Sequence, residues 1–363
     1  MNARVRFFRP AVTQEHIKAV QDVLESGQFI LGENVRLFEE EFAAFCGVKH
    51  CIGVGSGTDA LRLVMEAHGI GKGDEVITVP NTFVATTNAI VFSGARPVFV
   101  DADPQTMNMD AGLIESAITP RTKAILPVHL YGQSCKMPEI IEIAKKHGLT
   151  VIEDACQAHG SEYNGKKAGS WGSSSCFSFF PSKNLGCAGD GGAVVTNDEA
   201  VRDSVRMLRD YGQKTKYHHE QFGYNSRLDA IQAAFLRVSL RSLDKWNATR
   251  QNLAGLYDEQ LDGVGDIQRP FRMSGGKHVF YLYVIRTKQR DALKAHLAEN
   301  GIETGIHYPI PIHKQKPYQE YANQRFPVAE KAANEILSLP IYPTLSENDV
   351  LFLTSKIKEF YRK

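Results

Sequence analysis

Apolar residues recur at helical spacing near the N-terminus. Ile17, Val20 and Leu24 fall on one face, with Thr13 placed to cap and Gly27 beyond the end. This predicts a helix to about Ser26. Val35, Phe38, Phe42 and Phe45 predict a second helix, stopped by Gly47. The pattern then changes to short apolar runs at 51–54, 75–79, 97–100, 124–129, 150–153, 175–180 and 193–196. Helical stretches separate several of them, at 59–68, 82–93 and 137–147. Repeated strand–helix–strand units predict a mostly parallel sheet covered by helices on both faces. In such sheets ligands gather at the carboxyl ends of the strands. Leu228, Ile231, Ala234, Phe235 and Val238 predict a long helix from 228 to about 249. Beyond Asn252 the character shifts. A strand is expected at 278–285, a helix at 291–300 stopped by Gly301, and two more at 327–337 and 347–359. The chain therefore divides into a large α/β domain, 1–250, and a smaller α+β domain, 251–363. Segment 1–30 is expected to pack on the smaller one.

Composition narrows the field. Of 363 residues, 43% are hydrophobic and 23% charged, which suits an ordinary globular chain. The net charge of +1 offers no polybasic field for nucleic acid or an anionic membrane. No apolar run is long enough to span a bilayer, and residues 1–8 lack the apolar stretch of a secretory signal. Six cysteines are scattered without a C-x-x-C pair, and several sit inside apolar runs as small hydrophobes. They point to a reducing cytoplasm.

Lys183 follows the apolar run Phe177-Ser178-Phe179-Phe180 after a proline and a serine, with Gly186, Gly189, Gly191 and Gly192 beyond it. Another apolar run ends in Glu153-Asp154. A lysine held in a dry pocket yields a neutral amine that condenses with an aldehyde. An acid at the end of a neighbouring strand holds a pyridine nitrogen protonated. Together these are the parts of a pyridoxal phosphate site. Each has a plainer reading: Lys183 as a solvated loop lysine, Asp154 as a helix cap. Gly53-Val54-Gly55-Ser56-Gly57-Thr58 runs from strand to helix, where free N–H groups attract phosphate; a tight turn without a ligand is the alternative. Gln157 falls one helical turn after Asp154. Asn225, Ser226 and Arg227 head the long helix, either as caps or with Arg227 as a carboxylate or phosphate fork. His307-Tyr308-Pro309-Ile310-Pro311-Ile312-His313 is a proline-stiffened loop. Its histidines share the segment with no acid or cysteine, so no metal site is expected. Lys216-Tyr217-His218-His219 reads as an exposed loop near the substrate.

These residues resemble the DegT/DnrJ/EryC1/StrS family of nucleotide-sugar aminotransferases, a branch of the fold-type I pyridoxal phosphate enzymes. The resemblance spans nearly the whole chain and rests on six pieces in register: 57–61, Glu153-Asp154-Ala155, 179–186, Gly189-Asp190-Gly191-Gly192, 223–229 and 305–309. It implies a seven-stranded mostly parallel (mixed) sheet sandwiched by helices, with a smaller α+β C-terminal domain. It also implies roles. Lys183 carries the cofactor and moves the proton, and Asp154 pairs with the pyridine nitrogen. Gln157 lies beside the phenolic oxygen, Phe83 stacks on the ring, and Gly57, Thr58 and Ser178 hold the phosphate. Asn225 reaches the phosphate from the partner of a homodimer with shared active sites. Arg227, His307, Tyr308 and Lys216 line the substrate side, where L-glutamate and a nucleotide-linked keto sugar react in turn. Gly189-Asp190-Gly191-Gly192, where the family often has Glu at the second position, resembles members that aminate C3 of a 3-keto sugar, in amino-sugar and surface-polysaccharide biosynthesis. A 4-keto-sugar aminotransferase is the alternative. Related sugar dehydratases carry histidine where Lys183 stands, which argues against them. A non-catalytic regulator of the same fold would tolerate the loss of Lys183, Asp154 or Thr58, and all three are present.

Overall fold

The short apolar runs pair into one seven-stranded sheet in the computed structural model, which describes residues 3–362. The strands are β1 (His50–Val54), β2 (Glu75–Thr78), β3 (Arg96–Phe99), β4 (Thr122–Ile125), β5 (Thr150–Asp154), β6 (Ser174–Ser178) and β7 (Gly192–Thr196). They lie in the order β1-β7-β6-β5-β4-β2-β3. Only β7 is antiparallel to its neighbours. The helices before and among them are α1 (Gln14–Ser26), α2 (Glu33–Cys46), α3 (Gly57–Ala67), α4 (Val84–Phe92), α5 (Met137–His147) and α6 (Glu199–Leu208). On one face of the sheet Ile52, Val76 and Ile152 pack with Leu61 and Val64 of α3 and Ile90 of α4. On the other, Ile125 and Val151 meet Ile140 of α5, while Cys51 and Val195 meet Phe38 and Phe42 of α2. Burial on both faces is why these strands read as continuous apolar runs rather than alternating ones.

Helix α7 (Ala230–Gln260) joins two cores. Its first half packs under α1 and α2 through Ala230, Ala234 and Leu236. Its last turns put Leu253, Ala254 and Tyr257 into a second cluster. That cluster contains β8 (Tyr283–Arg286) paired antiparallel with β9 (Ile336–Leu339), and helices α8 (Arg290–Glu299) and α10 (Glu347–Arg362). A shorter helix, α9 (Pro327–Glu335), precedes β9. Of segment 1–30, Val5 lies in this second cluster and bridges to Ile302, whereas α1 lies on α7. Met1 and Asn2, and Lys363 at the other end, lie outside the described residues.

Several expectations are corrected. The buried positions of α1 are His16 and Val23, while Ile17 and Leu24 are more than half exposed. His16 decides the docking face: its Nε2 lies 3.0 Å from Ser239 Oγ and its ring sits against Phe235, both on α7. The strand expected at 278–285 forms only at Tyr283–Arg286. Phe280 takes a positive φ of 44°, and its N–H donates to His278 Nδ1 at 2.9 Å, so the chain kinks before it pairs. The helix expected to reach Leu337 ends at Glu335, because 336–339 pairs with β8 instead. Helix α7 continues 11 residues past the expected end, its last turns held by the second core. The segment 213–219 is a small two-stranded hairpin rather than a plain loop. Helix α6, headed by Asp198, was assigned no element from sequence.

The end of β5 is fixed from behind. Alternation sends Asp154 and Glu153 to opposite sides of the sheet. Glu153 is fully buried and accepts five bonds: from His129 Nε2 at 2.8 Å, from the N–H groups of Gly169, Trp171 and Gly172 at 2.9, 2.8 and 2.8 Å, and from Ser175 Oγ at 2.7 Å. His129 Nδ1 lies 3.0 Å from the Cys135 nitrogen, which fixes the ring with Nε2 aimed at Glu153. Burial alone would raise the Glu153 carboxyl, but the bonds from His129, Gly172 and Gly169 outweigh it and hold it below the ordinary range. Glu153→Gln is therefore expected to destabilise the fold by about 2–4 kcal/mol at neutral pH. A depressed folded pKa contributes stability above the unfolded value of about 4.3 and loses it as pH falls through the folded value. Unfolding curves of both proteins from about pH 7 to pH 3.5 check this: the deficit holds above about pH 4.5 and narrows only below it. A deficit that is independent of pH would remove the carboxylate from the explanation.

Candidate active site

A cavity of about 470 Å³ opens at the carboxyl ends of β1, β5 and β6. Helix α3 begins at its floor. Ser56 Oγ accepts the Asp59 N–H at 3.1 Å and so caps the helix. The N–H groups of Gly57 and Thr58, in the first turn, have no intrahelical acceptor, and both residues line the cavity. A Cβ on Gly57 would stand 2.5 Å from Ser178 Cβ, and one on Gly192 would stand 2.3 Å from Ser56 O. Only glycines allow β6 and β7 to close on the helix terminus this tightly. Ser178 Oγ accepts the Phe180 N–H at 3.3 Å, which leaves its own proton for a ligand. Two N–H groups, two hydroxyls and a helix N-terminus together make a cradle for a phosphate.

Asp154, 5% exposed, projects from the end of β5 into the same cavity. Thr86 Oγ1 donates to its Oδ2 at 2.8 Å and the Cys156 N–H to its Oδ1 at 3.2 Å. Gln157 Oε1 accepts the Tyr131 N–H at 2.9 Å, and Nε2 lies 3.4 Å from the Tyr308 hydroxyl. Lys183 follows β6, its N–H bonded to Phe180 O, and its Nζ lies 4.2 Å from the centre of the Tyr281 ring. Burial would raise the Tyr281 phenol, but the Lys183 charge and the bond with Ser182 outweigh it and bring the phenol below its ordinary range. Phe83, half exposed, and Tyr308 form an aromatic wall with ring centres 5.5 Å apart. An anion cradle, a carboxylate, a lysine and a flat aromatic wall fit a planar pyridine carrying a phosphate and an aldehyde.

The structure thus brings Lys183, Asp154, Gly57, Thr58, Ser178, Phe83, Gln157, His307 and Tyr308 together. It does not bring Asn225, Arg227 or Lys216 to them. Asn225 is exposed. Arg227 and Lys216 line a separate depression of about 840 Å³ with Arg206 and Arg209, where Arg227 Nη1 pairs with Asp210 Oδ1 at 2.9 Å. His307 offers this site no positive charge. Burial, and then the charge of Lys183, lower it to about 4, so it enters reactions at neutral pH uncharged. Its Nδ1 lies 2.8 Å from Ser338 Oγ. Sequence reasoning missed Tyr281, Ser182 and Thr86. Tyr281 lay in a segment read as a continuous strand. Thr82 and Thr86 stand four apart at a helix start, the spacing that brings two side chains onto one face.

Among the described residues no group of three or more His, Cys, Asp and Glu is arranged to hold a metal. No helix there is long and apolar enough to cross a membrane.

Residues 10–358 match the model of the DegT/DnrJ/EryC1/StrS aminotransferase family. A Geobacillus stearothermophilus protein named pleiotropic regulatory protein is 48% identical over 352 residues, which cover 96% of this chain and 95% of that one. The UDP-N-acetyl-3-dehydro-alpha-D-glucosamine 3-aminotransferase of Acidithiobacillus ferrooxidans is also 48% identical, over 344 residues covering 95% and 93%. The crystal structure of S. venezuelae DesV in complex with a ketimine intermediate superposes with a TM-score of 0.94 at 45% identity, covering 96% of this chain and 95% of that chain. The fold, the cavity and these matches agree, and the chain belongs to the DegT/DnrJ/EryC1/StrS aminotransferase family.

Proposed function

We propose that this chain moves the amino group of L-glutamate onto C3 of a nucleotide-diphospho-3-keto-hexose, releasing 2-oxoglutarate and a nucleotide-linked amino sugar. The observation that carries the reading is the meeting of Lys183 and Asp154 in one cavity beside an anion cradle. The chain is a pyridoxal phosphate-dependent aminotransferase, as its family is. The choice of C3 leans on the A. ferrooxidans relative, whose name specifies a 3-dehydro sugar. The G. stearothermophilus relative's name raises a regulator instead, but a non-catalytic protein would tolerate the loss of Lys183, Asp154 or Thr58, and all three are present.

When bound, pyridoxal phosphate supplies an aldehyde that condenses with amines and a ring that draws electrons from the carbon being deprotonated. The cradle of Gly57, Thr58 and Ser178 anchors the phosphate. Asp154 would hold the ring nitrogen, and Gln157 would lie beside the phenolic oxygen. Lys183 Nζ would hold the cofactor's aldehyde carbon and, when free, would move the proton at the substrate carbon. His307, uncharged, and Tyr308 offer hydrogen bonds to the sugar from a stiff loop, which lowers the ordering cost of binding.

Among the described residues Lys183 is the one cationic side chain lining the cavity, which also holds Asp154 and Asp190. A dicarboxylate donor and a diphosphate acceptor both need more positive charge than that. Arg227 and Lys216, in their separate depression, supply it if a second copy of the chain brings that depression to this cavity, with Asn225 beside the phosphate. A homodimer with shared active sites follows. Exposed Phe29, Ile30, Phe180 and Phe222 offer apolar surface for such an interface.

The test offers purified protein, with glutamate, nucleotide-linked 3-keto sugars, 4-keto sugars and a UDP-3-keto-uronate, and follows 2-oxoglutarate release. The 3-keto compounds are expected to be preferred by at least about 100-fold in kcat/KM, because misplacing the carbonyl leaves buried polar groups unpaired. Preference for a 4-keto sugar would overturn the C3 assignment and keep the family. Turnover of a simple keto acid alone would overturn the sugar reading altogether.

A further inference from the structure

Asp154 is gripped at both oxygens, and one grip belongs to a relay. Thr86 Oγ1 donates to Asp154 Oδ2 at 2.8 Å. A carboxylate only accepts, so the single hydroxyl proton of Thr86 is committed to it. Thr82 Oγ1 lies 2.8 Å from Thr86 Oγ1 and must then be the donor in that pair. The relay runs one way, from Thr82 to Thr86 to Asp154. Both threonines are buried, 2% and 1% exposed, so water does not compete for these bonds. Both also line the cavity, Thr86 in the first turn of α4 and Thr82 just before it. The other oxygen, Oδ1, is fixed by the Cys156 backbone N–H, which side-chain substitution does not remove.

We propose that Thr86, backed by Thr82, is a positioning residue that sets the plane of the Asp154 carboxylate and thereby how firmly it holds the proton of the cofactor's ring nitrogen. This rests on the role given to Asp154 above. In this role Thr86 acts through Asp154.

The test compares Thr86→Val, Thr86→Ser, Thr82→Val and Asp154→Asn in the cofactor-loaded enzyme. Valine keeps the volume and removes the hydroxyl, and serine keeps the hydroxyl. Thr86→Val is expected to lower kcat by roughly 10- to 100-fold, the range for losing a hydrogen bond to a charged group. KM for glutamate is expected to stay within about 3-fold, because uniform binding is untouched. The visible absorbance band of the bound cofactor is expected to weaken with it. Thr86→Ser is expected to restore both rate and band, and Thr82→Val to produce a smaller loss in the same direction. Wild-type kinetics and absorbance in Thr86→Val, with Asp154→Asn impaired, would overturn the positioning role alone. Equal damage in Thr86→Ser and Thr86→Val would overturn it too, since packing would then be the cause. Asp154→Asn with an unchanged band and rate would overturn the reading of Asp154 and this inference with it. Should Thr86→Val fail to fold, the Thr82→Val and Thr86→Ser pair decides, since wild-type behaviour in the first with loss in the second contradicts the relay.

Discussion

Lys183→Ala is expected to abolish turnover, by about 10⁵-fold or more, while leaving the protein able to bind the cofactor non-covalently. Two roles fall on one side chain. On the proposed reading Lys183 holds the cofactor at rest and its free amine moves the proton at the substrate carbon. Losing a nucleophile and a proton carrier together removes contributions of the kind that each account for 10²–10⁴-fold or more. Binding survives because the cradle of Gly57, Thr58 and Ser178 and the Asp154 contact do not involve the lysine. Borohydride fixation of the wild-type enzyme followed by peptide mapping is expected to label Lys183; a label on another lysine would falsify the assignment. The same variant tests the shared site. Mixed with an inactive Asn225→Ala/Arg227→Ala protein, it is expected to regain part of the activity, because each hybrid dimer holds one intact site. No recovery after proven subunit exchange would count against donation of these residues from the partner.

Asp154→Asn is expected to lower kcat by about 10³-fold, roughly 4 kcal/mol of barrier, with little change in thermal stability. A charge-assisted bond to the ring nitrogen is worth about 1.5–3 kcal/mol in the resting enzyme. It is worth more as negative charge develops toward the ring, because an unprotonated pyridine is a poor electron sink. The local geometry adds a second cost. Both Asp154 oxygens accept a bond from this chain, from Thr86 Oγ1 and from the Cys156 N–H. An asparagine must present its NH₂ to one of these donors or turn away from the cavity. Stability changes little because the carboxamide keeps the volume and Thr86 can rotate its hydroxyl to accept. Near-normal kcat in Asp154→Asn would sink the assignment.

The order of elements and most of the residues that meet in the cavity were written locally. Apolar runs of strand length separated by helical spacing dictate a covered sheet, and the strands of that sheet match the runs within a few residues. The run from Gly53 to Thr58 marked a tight strand-to-helix turn, and Gly57 there lets the chain pass close to β6. Lys183 and Asp154 were legible for a related reason. Each follows a buried strand, and strand ends on one side of a parallel sheet share one edge.

What tertiary structure decided lies where local preference is weak or divided. The apolar stripe of α1 suggested one docking face, and the His16–Ser239 contact selected another. Segment 278–285 has the composition of a strand throughout, yet the positive φ of Phe280 breaks it and turns Tyr281 toward Lys183. Helix α9 gives way to a strand at Ile336 because β8 offers a ladder there. His307 reads as a candidate cation, but its charge depends on burial and on a lysine 124 residues earlier in the chain. Periodicity and turn chemistry act within a few residues and can be read from them. Docking faces, kinks and ionisation are set by groups that folding alone brings together.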